Sequence, residues 1–361
     1  MAKTFLSFAL DEAFVDKYAS LTPPWGYPIG GGNHLGEVVF YDSYSRAKED
    51  GSKERWHECC QRVIEGMFSI LKDHCARQRT PWREDEAQSS AQEAFDRLWS
   101  MKWTPPGRGL WMMGTEFVHG RGEATPLMNC AFLSTANHKL SDTFYLLMEL
   151  SMLGVGVGFD VRGANEHLVA KPEPEEHPQV YAIPDTREGW CESVRRLLDA
   201  YLEGGPLYSC DYSLVRPAGA PIRGFGGTAA GPEPLVRLHE TMARLLDAYD
   251  GRLADARLLA DIGNLIGKCV LAGNVRRSAE ICLGFPGDED FARLKDWTLP
   301  QNGERMGPDG WGNVSNNSLL VSSKRDIEGS LNFDIQRVAE SNTVNGEPGL
   351  IFLDLCRRYG R

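Results

Sequence analysis

Beyond residue 104 the chain alternates short apolar runs with amphipathic helical stretches and glycine turns, and no other feature restricts the fold as much. The apolar spacing predicts a helix over 141–153, with Ser141 as its N-cap and Gly154 as its stop. VGVGFDV follows as a buried strand. Further helices fit 187–203, 233–249 and 255–272, and short apolar runs at 279–283, 318–322 and 349–355 read as strands. Strands separated by helices need crossover connections, which points to parallel pairing and an α/β fold.

The first hundred residues have a different grammar. Residues 20–52 are rich in Pro, Gly and polar groups and read as an irregular arm. From Trp56 the positions Trp56, Cys60, Val63, Ile64, Met67 and Leu71 share one helical face, and Ala91, Ala94, Phe95 and Leu98 form the stripe of a second helix over 85–101. We therefore set an N-terminal arm and helical subdomain at 1–100 and an α/β domain at 101–361. Residues 164–183 hold several prolines and acids and read as a surface loop.

With 361 residues, 42% of them hydrophobic, the chain can bury a sizeable core. A formal charge of −11 argues against a general nucleic-acid coat, which needs a basic surface. No run approaches the roughly 18 apolar residues of a membrane span. The amino terminus, MAKTFLSFALDEAF, is interrupted by Asp11 and Glu12 and lacks a secretory cleavage pattern. Nine cysteines without repeated short spacing suit a reducing cytoplasm.

Cys130 stands in TPLMNCAFLST, at the head of a short apolar run. Packing and redox chemistry are both open to a thiol there. GVGVGFD is not a dinucleotide fingerprint, because a helix precedes the glycines and a strand follows. Its glycines suit close approach of a backbone or ligand. His57, Cys59, Cys60, His74 and Cys75 lack metal-site spacing and fall on an amphipathic helix. PIRGFGGTAAGP, residues 221–232, is a close-approach loop that could hold phosphate or merely connect. Arg276 and Arg277 sit at a turn before a strand, where they could bind an anion or form salt bridges. Ser315, Asn316, Asn317 and Ser318 enter a strand and could read a sugar or base, or cap a turn.

In one collinear order, TPPGRGLWMMGT, MNCAF, GVGVGF, PDTREGW, RPAGAPIRGFGGTAAGP, DIGNLIGKCVLAGNVRRSAEICLG, SNNSLLV and NGEPGLIFLDLCRRYGR resemble the adenosylcobalamin-dependent ribonucleotide reductases. The resemblance runs from about Pro23 to the last residue and is nearest to the monomeric ribonucleoside-triphosphate reductase branch. It implies that the α/β domain is the first part of a ten-stranded α/β barrel, two antiparallel sets of five parallel strands. The implied activity is reduction of ribonucleotides to 2′-deoxyribonucleotides, with adenosylcobalamin as the source of a thiyl radical.

By the same resemblance, Cys130 is one of the two cysteines that reduce the 2′ position, and Thr104 and Asn129 lie near the substrate phosphates. Gly154, Gly156 and Gly158 are the strand on which substrate rests, and Asn316 and Asn317 line its pocket. Asp142, Arg223, Gly226 and Gly227 serve a deoxynucleotide effector. The family's radical cysteine stands in an N-P-C-G-E segment that this sequence does not contain, and Cys356 has neither the Asn-Pro nor the glutamate of that motif. The resemblance thus implies a C-terminal reductase polypeptide as partner, carrying most of the cobalamin contacts, and a thioredoxin-type reductant. The competing expectation is a nucleotide-binding regulatory or assembly module without chemistry.

Overall fold

The computed structural model describes residues 6–25, 34–48, 50–136, 139–173, 176, 179–222, 228–272, 279–325 and 329–360. They form two compact units, Met1–Asn129 and Cys130–Arg361. The boundary drawn at residue 100 from the change of grammar falls inside the first of these.

The first unit is helical: α1 (Glu12–Ala19), α2 (His34–Ser43), α3 (Trp56–Gln78), α4 (Glu84–Trp99) and α5 (Gly107–Met112). The predicted stripes become its core, with Trp56, Cys60, Val63 and Ile64 of α3 buried together with Ala91, Phe95 and Leu98 of α4. Leu71, expected on the same face, is 47% exposed because the core ends short of the last turns of α3. Helix α2 lies within the stretch read as irregular. Phe40 anchors it, with ring centroids 5.3 Å from both Trp25 and Trp56. These partners are distant in sequence, so local periodicity could not reveal them.

The second unit runs β1 (Cys130–Leu133), α6 (Leu140–Met152), β2 (Gly156–Asp160), β3 (Val180–Ala182), α7 (Arg187–Leu202), β4 (Ser209–Asp211), α8 (Glu233–Ala248) and α9 (Ala256–Leu271). It continues through β5 (Glu280–Gly284), α10 (Glu289–Ala292), β6 (Ser315–Val321), α11 (Ile335–Asn345), β7 (Gly349–Phe352) and α12 (Leu353–Tyr359). The sheet order is β1-β2-β5-β6-β7, with every pairing parallel, and β3 and β4 form a separate parallel pair. This is the α/β class that the strand–helix alternation predicts.

Local chemistry sets the ends of these elements. Thr186 Oγ1 accepts the Gly189 N–H at 3.0 Å to start α7, and Asp255 Oδ1 accepts the Leu258 N–H at 2.9 Å to start α9. The N-cap of α6 is Lys139, two residues before the expected Ser141. Ser141 lies inside the helix and donates to Asp199 Oδ1 at 2.5 Å, so it is not the N-cap. At the other end Gly154, with φ of 77°, reverses the chain, and the Gly154 and Val155 N–H groups close onto the Ser151 and Leu150 carbonyls. The run 349–355 divides into β7 and the start of α12.

Val157, Phe159 and Cys282 fill one face of the sheet and are fully buried there. Phe159 meets Phe144 of α6 edge-on, with ring centroids 6.5 Å apart. Among the described residues, no helix is long and apolar enough to cross a membrane.

Candidate active site

The opposite face of the sheet carries the predicted chemistry. Strand side chains alternate between faces, so register alone assigns each position. Cys130 pairs with Gly156, and one step along, Phe132, Gly158, Ile281 and Asn316 form a row across β1, β2, β5 and β6. The next row on this face is Asp160, Leu283, Ser318 and Gly349. Cys130, Phe132 and Asn316 are exposed, so the face is open at its thiol and its amide. Between them Gly156 and Gly158 form a lane without side chains, half-buried at Gly156 and buried at Gly158. A Cβ at Gly158 would stand 2.9 Å from Phe132 Cδ2 and 3.1 Å from Ile281 Cγ2, so those two side chains close over the strand there because residue 158 has none.

Cys130 differs from most thiols of the chain. All nine cysteines are unpaired, but Cys59, Cys60, Cys191, Cys269 and Cys282 are buried. Burial pushes Cys59 and Cys269 up to about 12 and raises Cys60, Cys191 and Cys282 strongly. A thiol so protonated is a poor redox group. Cys130 is exposed at the edge of the glycine lane, and Cys356 is exposed on α12. Packing therefore does not account for Cys130.

The other predicted residues separate. Asn316 and Asn317 are adjacent, so they point to opposite faces: Asn316 joins the open row, whereas Asn317 is buried on the helix-packed face and accepts from Ser315 Oγ at 2.9 Å. Gly156 and Gly158 lie in β2, whereas Gly154 is the stop of α6. Thr104 and Asn129 belong to the first unit and are exposed there. Asp142 lies in the first turn of α6, with Arg195 Nη1 of α7 at 3.7 Å. Arg223, Gly226 and Gly227, like Arg276 and Arg277, lie outside the described residues. Phe132 was missed, although its place two residues after Cys130 in a strand puts it on the same face.

Behind the open face lies a buried polar layer that no motif announced. Arg305 Nε pairs with Asp261 Oδ1 at 2.5 Å, which also accepts the Trp311 indole N–H at 2.7 Å, and Arg305 is 2% exposed. Glu280 of β5 packs against α9 at Gly267, with no hydrogen-bond partner for either carboxylate oxygen among the described residues. Burial raises its pKa from 4.5 to about 8, which keeps it protonated at neutral pH. In the segment between β2 and α9, His239 is held between Ser193 Oγ at 3.0 Å and Tyr212 Oη at 2.7 Å. Burial lowers its pKa to about 4, so this imidazole is neutral.

Residues 10–115 match the family model of the ribonucleotide reductase alpha domain, and residues 161–246 match that of the B12-dependent ribonucleotide reductase insertion domain. A protein of Dictyostelium discoideum, described as a probable adenosylcobalamin-dependent ribonucleoside-triphosphate reductase, is 39% identical over 100% of this chain and 48% of its own length. The adenosylcobalamin-dependent ribonucleoside-triphosphate reductase of Euglena gracilis is 38% identical over 98% of this chain and 46% of its own length. A crystal structure of a B-12 dependent (class II) ribonucleotide reductase superposes with a TM-score of 0.79 at 29% identity, covering 98% of this chain and 53% of that one. These matches define a ribonucleotide reductase fold. More narrowly, the chain belongs to the adenosylcobalamin-dependent, class II ribonucleotide reductases, and it spans about half the length of the curated relatives it matches.

The family depends on adenosylcobalamin. The described residues do not by themselves make a site for it. Among them no cluster of three or more His, Cys, Asp and Glu could hold a metal ion, and the rows of the open face present a thiol, glycines, an amide, a carboxylate, a hydroxyl and apolar groups but no imidazole. No step below is routed through the cofactor.

Proposed function

We propose that this chain contributes one reducing thiol and part of the substrate surface to the reduction of ribonucleotides, completed by sequence corresponding to the rest of its relatives' length. The observation that carries the reading is the in-register placement of exposed Cys130 beside Gly156, with Gly158 and Asn316 in the next row of the same face. A ribose resting against the half-buried backbone at Gly156 would bring its 2′ carbon within reach of the thiol, and Asn316 could donate to or accept from its hydroxyls.

The reduction balances with two thiols. They give up two electrons and two protons as their sulfurs join in a disulfide. The ribose 2′ C–O bond breaks, its oxygen leaves as water, and a C–H bond takes its place. Cys130 is one of these thiols, and the second comes from outside this chain. A dithiol reductant of the thioredoxin class then restores the pair. Free thiols throughout the chain support operation in a reducing cytoplasm. Thr104 and Asn129 serve the substrate phosphates in this reading. Asp142 and the loop with Arg223, Gly226 and Gly227 serve a deoxynucleotide effector.

The test is Cys130→Ser in the complete reductase containing this sequence, followed by deoxyribonucleotide formation over many turnovers. The reading expects multiple turnover to be lost while ribonucleotide still binds. A variant that turns over normally removes Cys130 from the chemistry.

A further inference from the structure

Asn316 reaches the open face from a strand segment held in an unusual way. Pairing of β6 with β5 starts at Ser315, but pairing with β7 starts only at Ser318, opposite Gly349. Carrying that register back would set residue 347 opposite Asn316. Instead Glu347 precedes β7, and its side chain takes the place of the missing strand: Glu347 Oε2 accepts the Asn317 N–H at 2.9 Å. Lys295, 7% exposed, donates its ammonium to the Ser315 carbonyl and pairs with Glu347 Oε2 at 2.8 Å. The Ser315 N–H is taken by Asn264 Oδ1 of α9 at 3.1 Å.

The backbone on both sides of Asn316 is therefore gripped by one ion pair: the carbonyl before it by the lysine, the N–H after it by the glutamate. Charge-assisted bonds to a buried ammonium are strong and leave little freedom. An ordinary strand would have satisfied the same groups without burying charge. The pair does so while leaving the flank of Asn316 without a strand partner.

We propose that Lys295 and Glu347 are positioning residues that fix the Asn316 amide toward bound ribonucleotide. The proposal deepens the function given above and rests on it. The experiment uses the complete reductase with a ribonucleoside triphosphate as substrate and compares Lys295→Met, Glu347→Leu, Asn316→Ala and the Lys295→Met/Asn316→Ala double variant. Loss of one well-placed hydrogen bond corresponds to about a tenfold rise in KM. The expected result is that rise in each single variant, with kcat within about twofold. The double variant is expected to be no worse than Asn316→Ala alone, because the pair acts through that amide.

Additive losses in the double variant overturn the proposal, since a general structural defect would add. If Lys295→Met does not fold, Glu347→Gln breaks the ion pair but keeps an acceptor for the Asn317 N–H. It is then combined with Asn316→Ala in the same way, again expecting no added loss. Amide exchange at Asn317 gives a readout independent of turnover: Glu347→Leu is expected to speed it by about tenfold or more beyond whatever its loss of global stability accounts for, and exchange that rises no more than global unfolding does overturns the grip itself. A wild-type complete protein that makes no deoxyribonucleotide overturns the functional reading and the role of Asn316 with it. That outcome is distinct from a failed grip, in which the wild type turns over and only the variants depart from expectation.

Discussion

Replacing Glu280 by Gln should change how stability varies with pH. Glu280 is fully enclosed between β5 and α9, and burial lifts its pKa from 4.5 to about 8. The folded protein therefore holds this proton across a window in which the unfolded chain has released it. As pH rises through that window the unfolded state is favoured, so the wild type loses stability. The slope approaches about 1.4 kcal/mol per pH unit for one proton. Between about pH 5 and pH 7 the loss attributable to this one group is roughly 2 to 3 kcal/mol. Glutamine has nearly the same shape and no proton to lose. The difference in stability, variant minus wild type, should thus grow with pH by that amount and level off above the folded pKa. Urea denaturation followed by circular dichroism at several pH values measures it, and only the slope matters, because a constant offset from the amide cancels. Parallel profiles would refute the reasoning. A wild type that gained on the variant at high pH would mean that the carboxylate is ionised and partnered.

Three other substitutions separate structural from functional roles. Gly154→Ala forces a side chain into a φ of 77° and should lower stability by about 1 to 2 kcal/mol with KM unchanged, as thermal melting and kinetics would show. Gly158→Ala should cost about 1 to 3 kcal/mol, because its Cβ overpacks Phe132 and Ile281 at a buried position, and substrate affinity should fall as well, because the displaced Phe132 ring borders the accessible Gly156. Asp261→Ala strands Arg305, 2% exposed, without its carboxylate, and should lower stability by about 3 to 5 kcal/mol in a denaturant titration.

Much of the frame was legible because its causes are local. The stripes of α3 and α4 and the spans of α7, α8 and α9 follow from apolar spacing and from caps such as Thr186 and Asp255. Helix α2 was missed because Trp25 and Trp56, which hold Phe40, are remote in sequence. Period-two alternation already separates Asn316 from Asn317, but only strand register shows which of them shares a face with Gly158. The grip of Lys295 and Glu347 on β6 had no sequence signal, since it joins three segments through backbone groups that every residue carries. The predicted reductant, Cys130, was singled out by resemblance, and its exposure on the open face is what composition alone could not supply.

The side-chain-free lane at Gly156 and Gly158 also bears on how such a surface can change over time. A pocket walled by side chains can be retuned by exchanging them, one methyl at a time. A lane made of peptide groups has nothing to exchange, and every substitution at Gly158 brings a Cβ against Phe132 and Ile281. Selectivity can then drift only at the borders, through Phe132, Ile281 and Asn316. An inhibitor that drew its affinity from the lane itself would meet few mutations able to evict it without also evicting whatever the lane was kept clear to hold.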